Sequence, residues 1–560
     1  MGSPKLEDMN MLTKLMYGAV LLIVGFALSA GASAQQKGAI RAIEPSACYQ
    51  CHAPIKELHA AGKHKAVACA NCHDGLDKHL GDASQRPATH TEPAKCGSCH
   101  KLQYQSFATM NWGKPARFEK SLMAGPSPDP AWDKLMQPHG FTKEHNLPRS
   151  HSFALLDHFT VDRAYGGRFE PKNGWQYLTL SGDLKPWDLL EDKFPGQDHK
   201  AFKPGTAAAA NPVCLSCKTQ DHILDWAYMG DPVPGAKWSR TSKVNEMAKD
   251  LQHSLNCFYC HDPHGAKPRI VRDGLIQALT RPEKDTLWHK DPRATKIDVR
   301  EMGVRGFTRK IALLEKYDSK LQCAQCHVEY NCNPGTDPTT GQPICMPDQR
   351  TNHFPLKDVF GIAQHYTDLK FRDFRHATTG ALLWKAQHPE AETFWNSKHD
   401  KAGVGCSNCH MPKMKDPKTG KSYTSHWQTN PRNYIKETCL SCHSNWSVTQ
   451  VRYVLDSLQA HIQGKMRKAE FWLTGLVDKF QEANAVGIEE AALKAARDKH
   501  YEAHVYWEWW TATNGGAFHN PDAAKESLNR SMTVSQEGIK ILDDAIKVRR
   551  SALAKLASSQ

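Results

Sequence analysis

The sequence predicts a mainly α chain with little sheet, its interior packed around prosthetic groups and its end formed by long helices. Three observations carry that expectation. Eight segments spell Cys-x-x-Cys followed by a basic residue, spread over residues 48–443. Alternating apolar and polar runs, the mark of half-buried strands, are few. From Val451 onward, apolar side chains recur at helical spacing.

The eight segments justify the first point. Seven end in histidine: Cys48, Cys51 and His52; Cys69, Cys72 and His73; Cys96, Cys99 and His100; Cys257, Cys260 and His261; Cys323, Cys326 and His327; Cys406, Cys409 and His410; Cys439, Cys442 and His443. Cys-x-x-Cys-His is the attachment signature of haem c, in which two thioethers fix the porphyrin and the histidine ligates iron. Repeated this often, it has no competing explanation as zinc sites or redox dithiols, and it marks a multihaem cytochrome c. The fourth segment in order, Cys214-Leu215-Ser216-Cys217-Lys218, ends in lysine instead. Lysine must lose its proton to donate a lone pair, which is unfavourable at neutral pH unless metal and burial assist. That ligand is expected where chemistry needs it, so Lys218 marks the reactive iron and the seven histidine-ended centres supply it with electrons.

The chain has 560 residues, 18 cysteines and 30 histidines. The motifs use every cysteine except Cys332 and Cys345, and ample histidines remain for distal ligands. Hydrophobic content is modest, but each macrocycle buries apolar area that the amino-acid count does not see. The formal charge of +13 would ordinarily suggest nucleic acid or an anionic membrane. Haem propionates offset it, so it reads as local positive potential around an anion site, with no nucleic-acid partner.

Residues 1–34 read as a signal peptide: Lys14, an apolar run from Leu15 to Leu28, and Ala32-Ser33-Ala34 as a cleavage site. Covalent haem attachment also requires export, so the expected compartment is the periplasm. Residues 35–103 form a three-haem domain with too little polypeptide per haem for its own side-chain core. His59, His64, His79 and His90 are its candidate distal ligands, unpaired at this level. Residues 104–446 form the catalytic five-haem domain. Residues 447–560 form a helical bundle: Val451, Leu455, Leu458, Ile462 and Met466 repeat at helical spacing, as do Leu528, Met532, Ile539, Leu542 and Ile546. That stripe is expected to face another subunit.

Beside the sixth motif stands His327-Val-Glu329-Tyr330-Asn-Cys332, and further on Lys385-Ala-Gln387-His388-Pro389. Together with the lysine-ended motif, these segments resemble the cytochrome c nitrite reductases over roughly residues 145–525. The pentahaem members share the Cys-x-x-Cys-Lys haem. Eight motifs, the lysine-ended one fourth, and Tyr-x-Cys look like the octahaem, ammonia-forming subfamily. The resemblance implies that Arg163, Tyr330 and His388 are the catalytic residues over the open face of the haem held by Lys218. The chemistry is consistent: a guanidinium can polarise the oxygens of nitrite, and an imidazole can relay protons near neutral pH. It also implies calcium held by Glu329, the backbones of Tyr330 and Lys385, and the side chain of Gln387, hard oxygen ligands suited to that ion. Four distal ligands carry over: His151 opposite His327, His426 opposite His261, His399 opposite His443 and His519 opposite His410. In the subfamily, Tyr-x-Cys forms a thioether, here Tyr330 to Cys332; a Cys332–Cys345 disulfide or a free thiol is the alternative.

The implied function is six-electron reduction of nitrite to ammonium by eight covalently bound haems c and calcium, with hydroxylamine and sulfite as further substrates. The partners are nitrite, a periplasmic or membrane-bound electron donor and further copies of the chain, a hexamer built from dimers or trimers being one form. An octahaem hydroxylamine oxidoreductase or tetrathionate reductase, or a conduit with no reactor, stands as the alternative.

Overall fold

The computed structural model describes residues 43–109, 130–137, 151–155, 159, 169–172, 186–192, 212–304, 306–331, 340 and 352–560. The expected signal peptide, Arg163, Cys332 and Cys345 lie outside these residues. The chain divides into two compact units, Met1–His90 and Thr91–Gln560.

The attachment motif shapes both units. The N–H groups of His52, His100, His261, His327 and His443 donate to the carbonyls of Cys48, Cys96, Cys257, Cys323 and Cys439 at 2.9–3.0 Å. Each motif is therefore one α-turn, which puts the first cysteine and the basic residue on the same face. Short helices follow from this. In the first unit they are α1 (Pro45–Tyr49), α2 (Ala53–Ala61) and α3 (Leu76–Gly81).

In the second unit α4 (Pro212–Leu215) opens the lysine-ended motif. Among the described residues the largest sheet has three strands, β1 (Arg269–Ile270), β2 (Ile297–Val304) and β3 (Phe307–Leu314). β3 lies in the middle and is antiparallel to both neighbours. Val304 pairs with Phe307, and Gly306 in the tight connection takes φ +98°, which only glycine adopts freely. The remaining sheets are two-stranded, as the scarcity of alternating runs predicts. One apolar core gathers Leu215, Ile270, Ala312, Leu321 from α5 (Ser319–Cys323), and Tyr330.

After α6 (Glu390–Phe394) the chain ends in three long helices: α7 (Val448–Val486), α8 (Glu490–Ala512) and α9 (Pro521–Ser558). Ser447 and Gln450 cap the start of α7 reciprocally, and Gly487 at φ +70° ends it. Asn520 accepts from Ala523 N–H, with Pro521 at the first position of α9.

The expected apolar stripe is spent inside the chain, contrary to the expectation that it faces another subunit. Val451, Leu455, Ile462, Leu528, Leu542 and Ile546 are all buried. α7 and α9 pack on each other and on α8, and Leu473, Trp507, Trp509 and Leu528 share a core with Tyr366 and Trp384 of the preceding segment. The reason is that α8 is buried all round from Ala503 to Trp510. A helix of that kind needs neighbours on every side, and the stripes of α7 and α9 supply them. Among the described residues no helix is long and apolar enough to cross a membrane.

Candidate haem centres and active site

Two imidazoles that share one metal at metal–nitrogen distances of about 2 Å have ring centres roughly 6 Å apart. The four histidine pairs expected from the sequence meet that condition. His151 faces His327 at 6.0 Å, His261 faces His426 at 6.3 Å, His399 faces His443 at 6.4 Å and His410 faces His519 at 6.2 Å. Distance alone is not sufficient, since His500 and His504, one helical turn apart on α8, also stand 6.2 Å apart without an attachment motif.

The hydrogen bonds add direction. His410 Nδ1 donates to the Thr429 carbonyl at 3.0 Å, His426 Nδ1 to the Thr424 carbonyl at 2.9 Å, and His151 Nδ1 to Gln428 Oε1 at 3.0 Å. A ring so tied presents its Nε2 lone pair to a metal. Burial pushes His151 and His519 down to about 4 and also lowers His399, His410 and His426. These rings are therefore neutral, the form that ligates. The donor set fits haem c.

The thiols of neighbouring motifs lie close enough to shift one another's ionisation: Cys48 and Cys69 within the first unit, and Cys96 with Cys257, Cys217 with Cys326 and Cys323 with Cys406 in the second. The sixth motif thus lies beside both the lysine-ended fourth and the seventh.

The lysine-ended motif differs from the others in burial. Cys214 and Cys217 are both buried, whereas every other motif cysteine is half-buried or exposed. Lys218 itself is half-buried. Tyr259 donates to the Ser216 carbonyl at 2.9 Å, and Thr219 N–H closes the turn on Leu215 at 3.1 Å.

Tyr330 is buried beside the sixth motif, its ring 5.8 Å from Phe354. His388 is half-buried, and its carbonyl accepts from Glu390 N–H at 2.8 Å at the start of α6. Ala391 N–H then reaches the His327 carbonyl at 3.0 Å, so the turn that carries His388 is fastened to the sixth motif.

The expected calcium ligands converge in part. Glu329 is fully buried. Its Oε1 accepts from Tyr366 at 3.2 Å and Trp384 at 3.0 Å, and its Oε2 from Gln387 N–H at 2.7 Å. Gln387 Nε2 reaches the Lys385 carbonyl at 3.5 Å. Burial raises the Glu329 carboxyl well above its usual range, so a cation beside it would favour ionisation. One carboxylate with carbonyl and amide oxygens is a hard set that fits calcium. Among the described residues no group of three or more His, Cys, Asp or Glu side chains is placed to hold a metal.

Two residues were not legible as functional, and a third was named without a partner. Arg272 is buried, and its guanidinium carbon lies 5.8 Å from the centre of the Tyr330 ring. Glu390 spans two elements: Oε2 sits 3.4 Å from His327 Nδ1, and Oε1 accepts from Asn514 N–H and Nδ2 at 2.8 Å each. Burial works against its charge, but the His327 contact and the Asn514 N–H outweigh it and hold the carboxyl below its usual range. His79, one of four unpaired candidates, faces His52 at 6.1 Å. Arg next to Asp and Glu near a helix start are common on solvated surfaces, so no sequence signal singled out the first two.

Residues 189–551 match the profile of the cytochrome c552 family. The cytochrome c nitrite reductase subunit NrfA of Nitratidesulfovibrio vulgaris is 27% identical over 455 residues, 76% of this chain and 72% of that protein. A cytochrome c-552 of Haemophilus influenzae is 26% identical over 403 residues, 70% of this chain but 63% of that protein. In fold, the chain resembles the NrfA catalytic subunit of Desulfovibrio desulfuricans cytochrome c nitrite reductase, described with two calcium sites. The TM-score is 0.57 at 23% identity, covering 82% of this chain and 87% of that one.

Proposed function

The chain belongs to the cytochrome c552 family, and from that premise we propose that it is an octahaem, ammonia-forming nitrite reductase of the periplasm, with Lys218 at the reactive centre. The observation that carries the reading is the unique burial of Cys214 and Cys217 beside the one lysine-ended motif. Nitrite becomes ammonium and two waters by taking up six electrons and eight protons, so the site must hold an anion, feed it protons and exclude bulk water.

When bound, haem c supplies redox-active iron at every motif and, at the lysine-ended one, a face for a small anion. The chain does the rest. His151, His399, His426 and His519 would each supply a second histidine ligand to one of four other haems and so leave substrate no place at them. The adjacency of the fourth, sixth and seventh motifs would bring their haems close to one another. The Lys218 amine would be the ligand that distinguishes the reactive centre. Arg163 offers a permanent charge and donors to the substrate oxygens. Tyr330 offers a phenolic O–H from a buried wall, where a fixed donor acts more strongly than in water. His388 moves protons, and calcium on Glu329, Gln387 and the backbones of Tyr330 and Lys385 would hold Tyr330 and His388 in register. A thioether from Tyr330 to Cys332 would make the phenol easier to deprotonate and oxidise.

The test is an anaerobic assay with a reduced dye, offering nitrite, hydroxylamine, sulfite and tetrathionate in parallel and quantifying ammonium. Stoichiometric ammonium from nitrite is the expected result. Turnover of tetrathionate alone, or of none of the four, would overturn the reading in favour of another octahaem enzyme or a conduit. Lys218→His should keep eight haems and lower nitrite turnover by about tenfold or more; unchanged turnover would remove Lys218 from the argument.

A further inference from the structure

The family profile begins at residue 189, so it assigns nothing in the first unit, where two attachment motifs lie. We propose that His79 is the sixth ligand of the haem attached at Cys48 and Cys51, opposite His52, so that the unit Met1–His90 completes this centre with its own residues.

Three observations carry it. The His52 and His79 rings stand 6.1 Å apart and are tilted by 32°. That separation falls within the 6.0–6.4 Å spanned by the four pairs of the second unit. Unlike His500 and His504, one of the two ends an attachment motif, and the other approaches from a separate helix. Second, His79 Nδ1 donates to the Gln85 carbonyl at 3.0 Å, as His410 and His426 do to theirs. The Nε2 lone pair is the one left for a metal. Third, the backbone sets this up. Gly75 takes φ +77° immediately before α3, a left-handed turn that aims the helix, and Asp82 N–H on the Lys78 carbonyl at 2.9 Å closes the helix so that the chain returns to Gln85.

The same hydrogen bonds remove the most buried competitor. His59 is held at both nitrogens: Nε2 donates to the Val67 carbonyl at 2.9 Å, and Nδ1 lies 2.5 Å from the Tyr49 hydroxyl. It braces α2 against the following loop and has no lone pair to offer a metal. His90 directs Nε2 at Asp74 Oδ2, 2.8 Å away.

A centre closed by His52 and His79 is coordinatively full and low-spin. It accepts and passes electrons and admits no substrate. This inference rests on haem attachment, not on the choice of nitrite, so the two can fail separately.

The test uses the full holoprotein. His79→Ala should retain eight haems by intact mass, while the ferric spectrum gains about one haem equivalent of high-spin signal that added imidazole returns to low spin. His59→Gln should leave the spin count at the parent value. His79→Met should keep that centre low-spin, acquire the charge-transfer band of a sulfur-ligated ferric haem and raise the potential of one haem. The methionine variant carries the test if the alanine variant does not accumulate. A His79→Ala protein with eight haems and the parent's spin count would overturn the proposal. So would a high-spin signal created by His59→Gln.

Discussion

The Arg272 guanidinium carbon lies 5.8 Å from the centre of the Tyr330 ring and 5.4 Å from that of Phe354, a buried cation shared by two aromatic faces. Its Nη1 donates to Asp273 Oδ1 at 3.2 Å, while Nε and Nη2 are buried without a hydrogen-bond partner among the described residues. Buried guanidinium donors favour an anion nearby. Arg272→Lys should therefore fold with its full complement of haem and lose about tenfold in nitrite turnover, because a point charge replaces a planar fork. Arg272→Met should in addition leave Asp273 buried without its partner, destabilising the protein by about 3–5 kcal/mol. Turnover with a reduced dye and thermal melting check the pair; a lysine variant as active as the parent would exclude a role for the fork.

Glu390 should tune the sixth haem. Its carboxylate stands 3.4 Å from His327 Nδ1 and also receives Asn514. A carboxylate on the far nitrogen makes an imidazole ligand more basic and lowers the potential of its metal. Glu390→Gln removes the charge and nearly preserves the shape. One haem potential should rise in a spectroelectrochemical titration, with the others unmoved.

What could be read beforehand follows the range of each interaction. The attachment motif is local, since one α-turn sets both cysteines and the basic residue, so five residues suffice to recognise it. The helical C-terminus was legible because period 3.6 is local too. Its partner was not: that the stripe of Val451, Ile462 and Leu528 lies inside the chain depends on the burial of α8 from Ala503 to Trp510, decided by Trp384 and Tyr366 far away in sequence. His79, Glu390 and Arg272 share that character. Each acts across a gap bridged only in three dimensions, and each belongs to a residue type common on surfaces.

In the proposed calcium site, Glu329 would link protons to the ion. Its carboxyl is fully buried and burial raises its pKa well above the usual value. Protons therefore compete for the carboxylate at higher pH than for a surface glutamate, and the ionised form that binds calcium gains population as pH rises. Apparent calcium affinity should increase as pH rises, at higher pH than for a site built on a surface glutamate. A chelator should lower nitrite turnover without releasing haem, and added calcium should restore it. In Glu329→Gln the restoration should need far more calcium, and the pH dependence of affinity should flatten. A chelated protein as active as the parent would show that Tyr330 and His388 hold their places without the ion.

Acid should destabilise the helical end through two buried histidines. His500 and His504 on α8 are fully buried, and His504 Nε2 donates to the Trp384 carbonyl at 2.8 Å. His500 Nδ1 meets Thr379 Oγ1 at 3.0 Å, and His376 packs edge-on at 5.2 Å. Burial drives His504 down to about 3 and His500 well below its ordinary value, helped by repulsion from His376. The sign follows from proton counting. Between the folded value and the unfolded value near 6.5, the unfolded chain binds protons that the folded chain cannot. Stability is therefore full above about pH 6.5 and falls as pH drops through that window. Deep in the window each such histidine contributes a loss of about 1.4 kcal/mol per pH unit. The melting temperature should fall between pH 7 and pH 5, and His500→Asn combined with His504→Gln should flatten the slope even though the double variant is less stable at pH 7. A slope unaltered by the two substitutions would assign the acid sensitivity to other groups.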